Sequence, residues 1–237
     1  MTKLIDLPDA LKLRRQFGIF DEFDTYVSTE RWTTTTDAGG TASVSGAGVG
    51  GILAVVTDAD DNDETYVETT AELFKFAADK PLLFEARVQF AEAATDAANI
   101  LIGLMDAPGA DSLVDNGSGP KASYSGAVLF KVDSGTVWQA ESSIGSSQTT
   151  TLLDASGSLD GSAKTAGGAT YQTLRIEFQP ITSTDGEVRF FIDETLVVKH
   201  SLTFTSATEM AIVLGAKAGS ATAETLNIDY VGCHQLR

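Results

Sequence analysis

Leu82-Leu-Phe-Glu-Ala-Arg-Val-Gln-Phe90 decides the fold class. Phe84, Ala86, Val88 and Phe90 point one way, and Glu85, Arg87 and Gln89 point the other. Period-two alternation is the signature of a strand with one buried and one wetted face. The pattern returns in Leu174-Arg-Ile-Glu-Phe-Gln179 and in Leu226-Asn-Ile-Asp-Tyr230. Parallel sheets are covered on both faces and read as unbroken apolar runs, whereas antiparallel sheets can leave one face in water. The alternation therefore predicts an antiparallel β-protein.

Working outward from that stretch, the chain reads as strands and turns from Glu30 onward. The candidate strands are 30–36, 41–46, 51–57, 64–70, 82–91, 98–106, 124–132, 136–142, 147–153, 170–179, 187–193, 195–203, 209–217 and 224–235. Val, Ile, Thr and aromatic residues fill them, and Gly, Asn, Asp and Pro punctuate them. Asp133-Ser134-Gly135 and Asp185-Gly186 read as hairpin turns, and 106–123 and 154–169 as long loops. Many short strands with no helical pattern between them predict a two-sheet antiparallel sandwich of jelly-roll type. Two segments break the alternation: Asn99–Met105 and Met210–Ala216 are apolar on both faces. They predict central strands covered on each side, or strands with one face at a subunit interface. Phe191, on the polar side of its strand, makes the same point.

The N-terminus differs. Asp9–Phe17, preceded by Pro8 and followed by Gly18, predicts a short helix within a basic arm, residues 1–17, ahead of a single sandwich domain, residues 18–237. Such a helix is too short to be stable alone in water, so it packs on something. The chain of 237 residues carries a net charge of −17. Four of its 16 basic and two of its 33 acidic side chains lie in residues 1–20, so the arm is +2 and the body −19. A basic, apolar arm on an acidic body predicts docking on a partner, with Leu11, Leu13, Arg14, Arg15 and Phe17 as the contacting residues.

Composition excludes several function classes. The acidic balance argues against nucleic acid, because phosphate binding needs clustered Lys and Arg. No apolar run reaches the roughly 18 residues of a membrane span, and Met1–Arg15 lacks a signal peptide's apolar core, so no membrane partner and no secretion by the usual route are expected. Cys233 is the single cysteine, which leaves no intrachain disulfide and reads as a small buried residue near the end of the last strand.

The best metal candidate is Asp58-Ala-Asp-Asp-Asn-Asp-Glu64, where Asp58, Asp60, Asn62 and Glu64 mimic the early spacing of a calcium loop. Position 63 is Asp where such a loop needs Gly, and position 69 is Thr where it needs a bidentate Glu. A solvated turn is the first reading, a weak calcium site the second, and no cofactor is expected. His200, at a strand end, and His234 read as surface or rim residues, and no Gly-x-Ser-x-Gly elbow accompanies them. Trp32 and Trp138 are expected in the core before a sugar-stacking role.

The order of segments resembles the concanavalin A-like (laminin-G-like) jelly-roll proteins of tailed-phage structural gene clusters and prophages. The resemblance runs over about residues 18–235. It is carried by Phe20-Asp-Glu-Phe23, Gly48-Val-Gly-Gly-Ile52 and Pro81-Leu-Leu-Phe-Glu-Ala-Arg-Val88. Ile102-Gly-Leu-Met-Asp106, Ala127-Val-Leu-Phe130 followed by Trp138, Tyr171–Glu177, Val188–Asp193 and Leu226–Tyr230 complete it. It implies a non-enzymatic virion component made in the bacterial cytoplasm. A capsid decoration (cement) protein or a head or tail fibre module is the usual type, with the major capsid protein or other virion proteins as partners and a homo-oligomeric state. The alternative is a carbohydrate-binding fibre module reaching host glycans through loops 106–123 and 154–169. Glycosidases sharing this jelly roll carry Glu-x-Asp-x-x-Glu along one strand. No such run occurs here, and Glu85 has no carboxylate two positions on, so catalysis is not expected.

Overall fold

The computed structural model describes residues 16–37, 39–45 and 50–237. In chain order its strands are β1 Gln16–Asp21, β2 Trp32–Thr36, β3 Thr41–Ser45, β4 Ile52–Val56, β5 Glu64–Thr69 and β6 Leu82–Phe90. Next come β7 Ala98–Met105, β8 Leu113–Val114, β9 Gly119–Pro120, β10 Gly126–Lys131, β11 Gln139–Ile144 and β12 Ser147–Leu152. The last are β13 Gln172–Pro180, β14 Asp185–Ile192, β15 Thr195–Thr203, β16 Ala211–Ala218 and β17 Thr225–Leu236. No helix occurs among the described residues.

Two antiparallel sheets face each other. The first has the order β15-β14-β13-β6-β17-β4-β3, with β1 also on β17, and the second β12-β11-β10-β7-β16-β5-β2. β17 lies along β6 on one side, while its other side carries β4 at the start and β1 at the end. The expected alternation in β6 is observed: Phe84, Ala86, Val88 and Phe90 are buried, and Glu85, Arg87 and Gln89 are not. Between the sheets these residues meet Ile100, Ile102, Leu104, Leu129, Ile212 and Leu214 in one core. Each such side chain contributes about 1.5–3 kcal/mol through burial. Trp32 and Trp138 belong to that core, each with its indole N–H satisfied, by Asp21 (2.9 Å) and Gln172 (3.0 Å) respectively. Cys233 is buried there too.

The doubly apolar strands β7 and β16 are central, and each is buried on both faces. The outer cover is not another subunit but this chain's own connection from β7 to β10, Asp106–Ser125, which carries the β8–β9 hairpin. Leu113 and Tyr124 from this strap pack on Tyr66, Leu101, Met105, Val128, Phe130 and Val213. Phe191 emerges on the outer face of the first sheet, with the Arg175 guanidinium 4.2 Å over its ring.

Three sequence expectations need correction. Residues 9–15 of the expected helix lie outside the described residues, but its end, Phe17, is strand. β1 alternates, with Phe17 and Ile19 turned inward and Gln16, Gly18 and Phe20 outward, and the edge left by β4 on β17 gives it a partner. Asp185 and Gly186 begin β14, the turn itself being 181–184; Thr182 and Thr184 hydroxyls bond the Asp185 carboxylate and hold the chain as it enters the strand. The third concerns His200. It is not at the surface but buried, because the edge strand β15 of the first sheet folds against β11 and β12 of the second.

Candidate functional site

Three places bring polar or apolar groups together outside the core, and they differ in what they leave available. The first is under the strap. Lys217 on β16 is buried, its ammonium 3.1 Å from Glu64, 3.5 Å from Asp111 and 2.5 Å from Asp115, and it donates to the Leu113 carbonyl at 3.1 Å. Burial pushes Lys217 down, but the Asp115 and Glu64 carboxylates more than offset this and hold it above its ordinary value. Glu64 is raised by burial despite the Asp111 N–H and Lys217. Beside this group, Tyr124 donates to Glu141 at 2.8 Å, and Gln148 and Thr150 donate to the same carboxylate. Burial raises Glu141 as well. These groups are paired with one another, and their chemistry is that of a staple which holds the strap over the central strands of the second sheet.

The four calcium-loop residues are split by this arrangement. Glu64 turns to Lys217, Asn62 accepts from the Asn116 N–H at 2.9 Å, and Asp58 accepts from the Ala59 N–H at 2.8 Å. Asp60 lies in the turn between β4 and β5, its carbonyl bonded by the Asp63 N–H. Among the described residues, no group of three or more His, Cys, Asp or Glu is disposed to hold a metal ion.

The second place is the wetted face of the first sheet. Register sets Phe191, Arg175, Glu85, Gly232 and Phe20 side by side across five strands. Arg175 reaches Glu85 (3.9 Å), Glu177 (3.3 Å) and Glu194 (2.7 Å), so a guanidinium occupies the space between the strand carboxylates. Glu85 also accepts from Tyr230, whose hydroxyl is pushed up to about 12 by burial and by that carboxylate. Arg87 pairs with Asp229 and lies over the Tyr171 ring. A glycosidase needs one carboxyl protonated and its partner ionised across a sugar. Here the Arg175 guanidinium stands between Glu85 and Glu177. Phe20 is 53% exposed, and its ring lies over Gly232 toward Tyr230, at 5.8 Å between centroids.

Ser142 and His200 form a hydroxyl–imidazole pair at 3.0 Å, which sequence reasoning missed. The other ring nitrogen is held by Thr151 at 3.0 Å, and burial alone lowers the imidazole to about 4. A triad base needs a carboxylate on its far nitrogen and an open approach to the hydroxyl. This pair has neither.

The third place is where β1 enters the sheet. Of the expected partner-binding residues, Leu11, Leu13, Arg14 and Arg15 lie outside the described residues. Phe17 turns inward and stacks on Phe74, with ring centroids 5.5 Å apart and an interplanar angle of 11°. Its backbone neighbour Gln16 turns outward, opposite Leu236, at the rim of a largely apolar pocket of about 420 Å³. Pro81, Leu83 and Leu236 supply its apolar lining, with Glu177 and Arg189 on the walls. Leu83 is 39% exposed, on a strand whose other outward residues are polar. The sequence signal for it was present: Leu83 breaks the alternation of the stretch that decides the fold.

No protein-family model matches the chain, and no curated protein does. Solved structures do match. An endo-1,3-β-glucanase from Streptomyces sioyaensis superposes with a TM-score of 0.63 at 17% identity, over 94% of this chain and 97% of that one. The carbohydrate recognition domain of Emp47p gives 0.58 at 14%, over 92% and 94%. An endo-β-1,4-glucuronan lyase from the fungus Trichoderma reesei gives 0.59 at 10%, over 91% and 94%. The fold is the concanavalin A-like jelly roll. At these identities the likeness carries the fold alone, and it joins enzymes with a carbohydrate recognition domain on one scaffold.

Proposed function

We propose that the chain is a non-enzymatic virion structural protein of a tailed phage, of the capsid decoration type, which docks on an assembled head through residues 1–15 and the face of the first sheet beside them. The observation that carries this reading is the placement of β1. It is pinned along the last half of β17 and delivers the basic, apolar N-terminal segment to the rim of an apolar pocket. The other surfaces speak against chemistry. The outer face of the central strands of the second sheet is covered by the strap, and on the first sheet Glu85 and Glu177 flank one guanidinium. A protein that binds the assembled lattice in preference to free subunits stabilises it by mass action. Because Gln16 and Phe17 belong to β1, the informative truncation removes residues 1–15. The test is co-sedimentation with heads of the phage whose genome encodes the chain. The full chain should pellet with heads at a saturating copy number, and the truncated chain should stay in the supernatant. Undiminished binding of the truncated chain would move the docking surface onto the sandwich.

A second reading, a carbohydrate-binding module of a fibre, is favoured by the exposed Phe20 beside Tyr230 and by a fold shared with a carbohydrate recognition domain. Aromatic faces flanked by polar groups suit sugar rings. Glycan-array binding that is lost in Phe20→Ala, without head binding, would favour it over decoration.

A further inference from the structure

We infer that the outer edge of β2 pairs antiparallel with β2 of a second copy of this chain, with Thr34 on the two-fold axis. The inference concerns the isolated protein and goes beyond the particle reading.

The edges of the two sheets are not equivalent. β1 and β3 adjoin residues outside those described. β15 is bonded at the Val197 carbonyl by the Leu159 N–H, and a Cβ on Gly157 would fall 1.9 Å from the Leu152 carbonyl of β12. The 154–169 loop thus blunts both of those edges. Edge strands are usually protected by charge, proline, a bulge or a cover. β2, Trp32–Thr36, holds no charged residue and no proline, and it pairs with β5 without a bulge. The segment ahead of it meets β2 through side chains. Phe23 packs on Trp32, with 5.5 Å between ring centroids, and the Tyr26 and Thr34 hydroxyls bond each other.

The ladder to β5 shows which backbone groups are free. The Arg31 carbonyl accepts from the Thr70 N–H at 3.0 Å, and the Asp37 N–H donates to the Glu64 carbonyl at 3.1 Å. Alternate residues of an antiparallel strand turn both backbone groups to the same side. Positions 31, 33, 35 and 37 therefore face β5. Trp32, Thr34 and Thr36 turn their N–H and C=O groups to the outer edge, where no group among the described residues bonds them.

The sequence of this edge selects its occupant and its register. Arg31-Trp-Thr-Thr-Thr-Thr-Asp37 carries opposite charges at its two ends and none between. With Thr34 on the axis, Trp32 meets the partner's Thr36 and Thr34 meets the partner's Thr34, each pair exchanging both N–H···O bonds. A shift of the register by two residues loses one of these pairs. The same register sets Arg31 opposite the partner's Asp37, and Thr33 opposite the partner's Thr35. Opposite charges and threonine neighbours both stabilise antiparallel pairs. Arg31 is available for this contact, since its side chain is 55% exposed and reaches only Asp21, at 3.4 Å. An isologous contact of this kind closes at two copies, so the product is a dimer with one continuous sheet and not a fibre.

The experiment is sedimentation velocity on the full chain, without heads, over a concentration series. The wild type should approach twice its 24.9 kDa as concentration rises. Thr34→Pro should stay monomeric throughout, because the N–H it removes faces away from β5 and the intrachain ladder does not use it. Thr34→Val loses the same hydroxyl bond to Tyr26 but keeps the N–H, and should dimerise as the wild type does. Arg31→Glu should weaken association several-fold. Arg31→Glu combined with Asp37→Arg should recover it, although the contact with Asp21 stays broken. A monomeric wild type, a dimer that survives Thr34→Pro, a monomeric Thr34→Val or a charge reversal without recovery would overturn the inference. Head binding is scored separately, so the dimer can fail while the decoration reading survives, and the reverse.

Discussion

Lys217 and Glu64 form an ion pair at 3.1 Å with both side chains almost wholly out of water, beneath a strap that supplies two further carboxylates. The pair joins β16 to β5 and, through the Leu113 carbonyl and the Asp111 N–H, fixes the strap to the second sheet. Its value lies in what happens when one partner is lost, since a lone buried charge is far worse than none.

Lys217→Met should therefore lower stability by about 3–5 kcal/mol, read as a fall in the urea midpoint. Lys217→Met combined with Glu64→Leu should recover most of that loss. If the double variant is no more stable than the single one, the pair is not the strap's anchor.

His200 gives the fold an acid sensitivity. Its folded-state value, about 4, lies below the ordinary 6.5. Above the ordinary value both folded and unfolded chains hold it neutral, and it has no effect. As pH falls from 6.5 toward 4 the unfolded chain takes up a proton that the folded chain refuses, so stability drops, by about 3 kcal/mol at the lower end. His200→Gln should flatten this part of the stability–pH profile, measured by urea unfolding at several pH values. An unchanged slope in the variant would assign the effect to other groups.

Calcium should leave the melting temperature unchanged, because Glu64, Asn62 and Asp58 are turned to three different partners. A real site held at 100 times its dissociation constant would add about 2.7 kcal/mol. A rise that vanishes in Asp60→Ala/Asn62→Ala would establish the site.

The protein should release no reducing sugar from β-glucans or glucuronan. The chain lacks the Glu-x-Asp-x-x-Glu run of glycosidases with this jelly roll, and the Arg175 guanidinium stands between Glu85 and Glu177 on the wetted face. Activity that Glu85→Gln abolishes would restore catalysis to the molecule.

What could be read from the residues alone followed from period. β6 from Phe84, β13 and the first half of β17 alternate, and β7 and β16 are apolar but for Asn99 and Lys217, so their positions and their cover were legible. β1 was not, because Pro8, the charged run and Gly18 mimic a helix with its caps, while the edge that captures it is made by β17, more than 200 residues later. β8 and β9 are two residues each, too short to show any period. His200 was misplaced for the same reason as β1: its burial comes from Ser142 and Thr151 on the other sheet, a contact with no local signature. Leu83 was in plain view, but a single broken alternation acquires meaning only when Leu236 and Gln16 are set beside it.

The antiparallel register of β1 on β17 also governs how the molecule can be handled. Gln16 lies opposite Leu236, so a fluorophore, affinity tag or displayed peptide appended after Arg237 would stand at the mouth from which residues 1–15 depart. The connection that precedes β17, at Ser220–Thr222, is a full strand length away, about 40 Å for twelve residues. Cargo inserted there would leave the N-terminal segment unobstructed, and that connection is the place from which to build on this scaffold.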